Sequence, residues 1–216
     1  MKRTIEIRAA EGGEDSKLFV KDLATAYIKH FTRVGWLHKL LNDRPGEISI
    51  EVQGDDLTDL NNESGGHRIQ RVPPTERKGR VHSSTVTVAV IDSHEKKEIT
   101  FNERDFRIEW YSGTGAGGQY RNKHQNSCRI THLASSVVAT SQCRSRENSL
   151  KEAKAAILER VNRSQSSKAY VELAANRKEQ VGSGMRGDKV RTYRFNDNLV
   201  KDHQSDRQAS IDKVMA

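Results

Sequence analysis

Four glycines fall within the seven residues from Gly113 to Gln119, in the run Ser-Gly-Thr-Gly-Ala-Gly-Gly-Gln at 112–119. Glycine reaches backbone conformations closed to other residues and lets a partner approach the main chain closely. No long helix or strand can run through such a stretch. Just before it, Phe106, Ile108 and Trp110 alternate along Asp105–Tyr111, the period of a strand. A strand therefore feeds a backbone-exposed loop with Gln119 near its tip. A surface turn is the ordinary reading of such a loop. Gly113, Gly115 and Gly118 also satisfy G-x-G-x-x-G, but a dinucleotide site needs an apolar helix next and an acid about 20 residues on. Polar residues 119–126 follow instead, and no Asp or Glu occurs between Trp110 and Arg146, so that site is excluded.

The same acid-free window carries Arg121, Lys123, Arg129, Arg144 and Arg146, with His124 and His132. A solvated face usually mixes signs, so one sign over this length points to a phosphate-rich partner. The formal net charge of +8 agrees. Nucleic acid is favoured over membrane, because no apolar run approaches the ~20 residues that span a bilayer. No apolar signal core follows Met1–Arg8, so no secretion is expected. The two cysteines, Cys128 and Cys143, form no C-x-x-C pair and are read as buried free thiols in strands. The eight histidines show no H-E-x-x-H or Cys/His spacing, so neither a metal nor another cofactor is expected.

Taken in order, Thr4–Arg8 reads as a strand and Glu11–Asp15 as a turn. Apolar residues at spacings of three and four from Phe19 to Leu41 predict a long helix over 16–41, capped by Asp15 or Ser16, with a break at Gly35. Glu47–Gln53 and Thr85–Ile91 read as strands. Between the latter and His67 lies a basic loop stiffened by Pro73 and Pro74, which carries Thr75 and has His82 nearby. As a plain hairpin loop it would only be soluble; a rigid tip with one hydroxyl and one ring also suits the reading of a base edge. Ser93–Phe101 reads as a charged connector. Beyond the glycine run, Cys128–Leu133 and Val137–Cys143 read as strands, 147–174 as a helix, Gly182–Asp188 as a flexible joint, Arg191–Phe195 as the last strand, and Ser205 onward as a short helix.

Several blocks together resemble the bacterial class I peptide chain release factors: Glu6-Ile-Arg-Ala with Gly12-Gly13, Ser64-Gly-Gly-His-Arg-Ile-Gln-Arg-Val-Pro, Gly117-Gly118-Gln119, Arg129-Ile-Thr-His132, Gly182-Ser-Gly184 and Arg191-Thr-Tyr193. Their order over essentially the whole chain makes the resemblance specific. It begins where the family's codon-reading domain normally starts and stops early at the C-terminus, which suggests a trimmed release factor. The fold expected is α+β in two units. One is a discontinuous codon-recognition unit of 1–97 and 176–216; the other is an inserted Gly-Gly-Gln domain of strands plus helix, 98–175.

The resemblance implies a cytoplasmic monomer that reads UAA and UAG in the ribosomal A site and triggers hydrolysis of P-site peptidyl-tRNA. Its partners would be ribosomal RNA, the mRNA stop codon and the tRNA. The stop-reading tripeptide falls on Pro73, Pro74 and Thr75, the stacking histidine on His82, and the first-uridine contact on Gly12 and Asp15, where a glutamate is usual. Gly117, Gly118 and Gln119 would promote hydrolysis, with Gln119 a target for N5-methylation by a glutamine methyltransferase. Arg121, Lys123, Arg129, Arg144 and Arg146 would hold RNA. Gly182, Ser183, Gly184 and Arg186 would form a switch loop. No G-x-S-x-G or grouped Ser, His and acid is present, so activity is expected only together with the ribosome. The alternative is a codon-independent rescue hydrolase, which would need a basic C-terminal tail where this chain ends Gln208–Ala216.

Overall fold

A computed structural model of the chain describes residues 1–92, 100–115 and 118–216, apart from the side chains of Tyr120 and Arg121. The elements run β1 (Lys2–Ala9), α1 (Glu14–Val34), β2 (Leu37–Arg44), β3 (Glu47–Gln53), a 3-10 turn (Thr58–Glu63), β4 (Gly65–Arg71) and β5 (His82–Asp92). After a second 3-10 turn (Glu103–Asp105) come β6 (Phe106–Tyr111), α2 (Gln119–Lys123), β7 (Ser127–His132), β8 (Val138–Ser141) and α3 (Arg146–Val181). The chain closes with β9 (Arg191–Arg194), β10 (Leu199–Asp202), β11 (Gln208–Ala209) and α4 (Ile211–Met215). Two compact units result, Met1–His94 with Leu173–Ala216, and Glu95–Glu172. The mixture of sheets and helices is the α+β class. Much of the charged connector, residues 93–99, lies outside the described residues.

The first unit is built on one sheet in the order β11-β10-β9-β4-β5-β1-β3-β2. β1 is flanked antiparallel by β3 and β5, so Ile5 faces Ile50 on one side and Val90 on the other. Alternation sends Ile5 and Ile7 to the face covered by α1, where Phe19, Val20, Leu23 and Phe31 are buried against them. Each such burial contributes about 1.5–3 kcal/mol. Glu6 takes the alternate position and receives two bonds from Arg177 of α3, at 2.6 and 2.7 Å.

α1 ends sooner than the apolar spacing predicts. Gly35 adopts a left-handed conformation (φ 75°) and its N–H closes on Phe31 and Thr32, a turn that side-chain-bearing residues resist. The chain then reverses into β2, an edge strand on which Leu37 and Leu41 are exposed. The expected helix over 37–41 is thus corrected to a strand.

At the other side of the sheet, β9 pairs parallel to β4 and is not the last strand, since β10 and β11 follow it. Between β4 and β9 lies a buried polar cluster. His67, fully buried, donates from Nε2 to the Glu63 carbonyl (2.9 Å), which leaves Nδ1 to accept from the Tyr193 hydroxyl (3.1 Å). Arg191 binds both Glu63 oxygens (2.6 and 2.9 Å) and Asp202 (3.0 Å). Burial pushes the His67 imidazole down, and Glu63 only partly offsets it. Burial alone would raise Glu63, yet Arg191 and His67 bring it below its ordinary value.

The second unit is the antiparallel sheet β6-β7-β8, with the first half of α3 packed on it. Ala153, Ile157 and Val161 at helical spacing meet Phe106, Cys128, Ile130 and Ala139. Cys128 is buried and unpaired; Cys143 is half-buried and follows β8, correcting its assignment to a strand. α3 itself runs seven residues beyond the expected end at Ala174. Gln180 anchors that extension in the first unit by accepting from and donating to the Val90 main chain (2.7 and 2.8 Å).

Candidate functional site

In the first unit three segments meet around Thr85. Beyond β1 the chain stays paired to β5: Ala10 N–H donates to the Thr85 carbonyl, and Thr85 N–H to that of Glu11. Gly12 (φ 123°) then lies so close to Ser84 that any Cβ there would collide with it, so this turn requires glycine twice over. Gly13 precedes α1 without a side-chain cap, and the Ser16 hydroxyl donates back to its carbonyl (2.7 Å). The Thr85 hydroxyl accepts from Glu11 N–H (3.0 Å) and donates to the Gly184 carbonyl (3.3 Å), while Arg186 pairs with Glu11 at 3.1 Å. Within the 182–188 loop the Asp188 carboxylate accepts from the Ser183 N–H (2.8 Å) and hydroxyl (3.1 Å), bonds that hold it below its ordinary value.

Asp15 departs from expectation. It neither caps α1 nor offers a carboxylate to solvent, because it is only 3% exposed and its Oδ1 accepts from Arg71 Nε at 2.8 Å. Arg71 also donates to Asp22 (2.8 Å) and lies over the Phe19 and Phe195 rings. The pair fastens the first turn of α1 to the last residue of β4, two residues before Pro73. Any contribution of Asp15 to base reading would have to come from its main chain.

β4 and β5 form the hairpin whose loop is 72–81. Pro73 is buried. Glu76 N–H closes a turn onto its carbonyl at 3.0 Å, which leaves Pro74 and Thr75 exposed as the central pair. The side chain of Glu76 is 5% exposed, whereas that of His82, which it contacts at 2.7 Å, is 43% exposed. The Lys78 N–H is the strongest influence on the Glu76 carboxyl and, with Arg80 and His82, holds it at about 2.

In the second unit the glycine run leaves β6 through a clamp. Gln142 accepts from Thr114 N–H (3.2 Å) and donates to the Thr114 and Tyr111 hydroxyls (3.2 and 3.3 Å). Gly118 is exposed, and a Cβ built on it meets nothing within 4 Å. Gln119, also exposed, opens the one-turn helix α2. Gly117 and the side chain of Arg121 lie outside the described residues. Lys123, Arg129, Arg144 and Arg146 are exposed. Arg146 lies 4.1 Å from the centre of the Trp110 ring and Arg129 5.5 Å from that of Tyr111, so aromatic residues of β6 carry these cations without neutralising them.

Sequence reasoning missed Arg71, Glu76, Thr85 and Gln142. Only Glu76 has a local signal, since its donors stand two, four and six residues on. Among the described residues no group of His, Cys, Asp and Glu could hold a metal, and no helix is long and apolar enough to cross a membrane.

With this geometry in place, residues 1–88 match the PCRF domain and residues 93–204 match the RF-1 domain. The chain is 39% identical over 212 residues to peptide chain release factor 1 of Carboxydothermus hydrogenoformans. It is 42% identical over 211 residues to peptide chain release factor 1 of Mycoplasma genitalium. In both cases 93% of this chain is covered, and it spans 58% of the relative's length. In structure it is similar to RF2 of Thermus thermophilus, with a TM-score of 0.55 and 26% identity, over 99% of this chain and 64% of that one.

Proposed function

This chain belongs to the peptide chain release factor family, and on that premise we propose that it terminates translation by reading UAA and UAG in the ribosomal A site and promoting hydrolysis of P-site peptidyl-tRNA. The observation that carries the reading is the exposure of Gly118 and Gln119, with open space around Gly118, in a unit that also exposes Lys123, Arg129, Arg144 and Arg146. Water attacks the ester carbonyl, the bond to the tRNA 3′ oxygen breaks, and that oxygen takes a proton. The backbone N–H of Gln119 donates to the oxyanion that develops, an interaction whose removal typically costs ~10²–10³ in rate. Its side chain helps admit water and exclude larger nucleophiles, and its exposure suits N5-methylation by a glutamine methyltransferase. Lys123, Arg129, Arg144 and Arg146 hold RNA phosphates, with Gly117 and Arg121 expected to belong to the same surface.

At the other unit, Pro74 and Thr75 meet the codon with His82 beside them, and Gly12 and Asp15 contribute their main chain. The 182–188 loop, tied to Glu11 through Arg186 and Thr85, is the element that answers codon reading. The factor acts in the cytoplasm as a monomer and has no activity without the ribosome.

The test is peptide release from ribosomes programmed with UAA, UAG, UGA or a sense codon. Release is expected at UAA and UAG alone. A UGA rate equal to that at UAG refutes the role of Pro73-Pro74-Thr75, and equal release at a sense codon makes the protein a rescue hydrolase.

A further inference from the structure

Most of the 72–81 loop is open to solvent, including Pro74, Thr75, Arg77, Lys78 and Arg80. Glu76 is turned inward among them, and its two oxygens are divided between two tasks. Oε1 accepts the Lys78 N–H (2.7 Å), which shapes the return of the loop. Oε2 accepts from Arg80 (3.1 and 3.3 Å) and from His82 Nε2 (2.7 Å). An ionised carboxylate can only accept, so His82 Nε2 must carry its proton toward Glu76. That bond fixes the ring's orientation and places a proton on Nε2. Meanwhile the main chain of the same residue closes the turn that presents Thr75.

We infer that Glu76 is a positioning residue for codon selectivity, holding Thr75 by its N–H and His82 by its carboxylate in one fixed relation. The inference rests on the codon-reading function proposed above. A base edge is discriminated by a hydroxyl and a ring only if their spacing is set before the base arrives, because a loose pair adapts to the wrong base as readily as to the right one. A loop staple of no functional consequence would show itself in stability and leave selectivity alone.

Glu76→Gln separates the two. The amide is the same size but offers one acceptor oxygen, and its NH2 group must face either the Lys78 N–H or the His82 and Arg80 donors. The expected result in the free protein is that the ¹⁵N signal of the His82 Nε2–H moves as its carboxylate partner is lost, with Tm little changed. On the ribosome, KM at UAA and UAG rises and the preference for stop over sense codons falls by about tenfold, the order of one lost hydrogen bond to a charged group, while kcat holds. Glu76→Asp, which keeps two acceptors, restores part of the preference. An unchanged His82 spectrum overturns the inference without reference to codons. A perturbed spectrum with wild-type KM and selectivity, or a fall in kcat alone, reduces Glu76 to a staple. If the wild-type chain releases no peptide at any stop codon, the functional reading itself fails and the codon role goes with it.

Discussion

The 72–81 loop and the 112–119 run are both rich in turn-forming residues and largely open to solvent where described, yet the bonds among their described residues differ in kind. Around the first, side chains are bound to fixed partners: Asp15 to Arg71 at the base of the hairpin, and Glu76 to Lys78, Arg80 and His82 at its tip. In the second, Gln142 holds the root at Thr114, and Gly118 has open space where a side chain would be. Discrimination between bases depends on side-chain groups held in place, whereas a backbone donor aimed at a reacting ester needs nothing beside it. The difference in bonding is the one that the two proposed tasks would require.

The comparison breaks first at Arg71. Arg71→Ala leaves the buried Asp15 carboxylate unpaired, and loss of one partner of a buried ion pair typically costs about 3–5 kcal/mol. Urea unfolding should show a loss of this order. A loss below about 1 kcal/mol would mean that the hairpin base is not held by this pair.

A smaller effect comes from pH. His67 is buried neutral with its pKa depressed, so the unfolded chain binds its proton more readily than the folded one. The stability it contributes is complete above the unfolded value of about 6.5 and declines as pH falls below it, by up to about 1.4 kcal/mol per pH unit for one proton. Glu76 and Asp202, both held at about 2, lose their contributions only as pH falls below about 4.5 and stay out of this window. Unfolding midpoints at pH 7.5, 6.5 and 5.5 should therefore decline, and His67→Gln should lessen the slope, leaving the share of His203, which burial also lowers. A slope unaffected by that substitution would place the titration elsewhere.

The smallest effect sharpens the contrast at the glycine run. Gln142→Ala removes three bonds of 3.2–3.3 Å at an exposed site, a net loss of about 1 kcal/mol or less. Hydrogen exchange at Thr114 should rise while the global unfolding midpoint barely moves. A large global loss would show that the run is part of the core of its unit.

The sequence carried the elements whose pattern is local. The strands from Thr4, Glu47, Thr85 and Phe106 and the start of α1 follow from alternation or helical spacing, and the exposed Pro74, Thr75 and Gln119 follow from motif. The misreadings have non-local causes. Leu37 and Leu41 continue the spacing of α1 by coincidence, and only the left-handed Gly35 decides that they belong to a strand. β10 and β11 are short and polar, with Val200 buried, and exist because β9 offers an edge. Asp15 reads as a cap or a base contact until the fold brings Arg71, fifty-six residues away, against it.

The division of labour between the two regions is tested most directly by measuring KM and kcat for peptide release at UAA with Thr75→Val and Gly118→Ala side by side. Thr75→Val keeps shape and loses the hydroxyl, so its loss should lie in KM at stop codons. Gly118→Ala has room for its methyl group within the protein and should fold and bind as the wild type does, with kcat lower by ~10²–10³. Losses of equal size in KM and kcat for both variants would contradict the account.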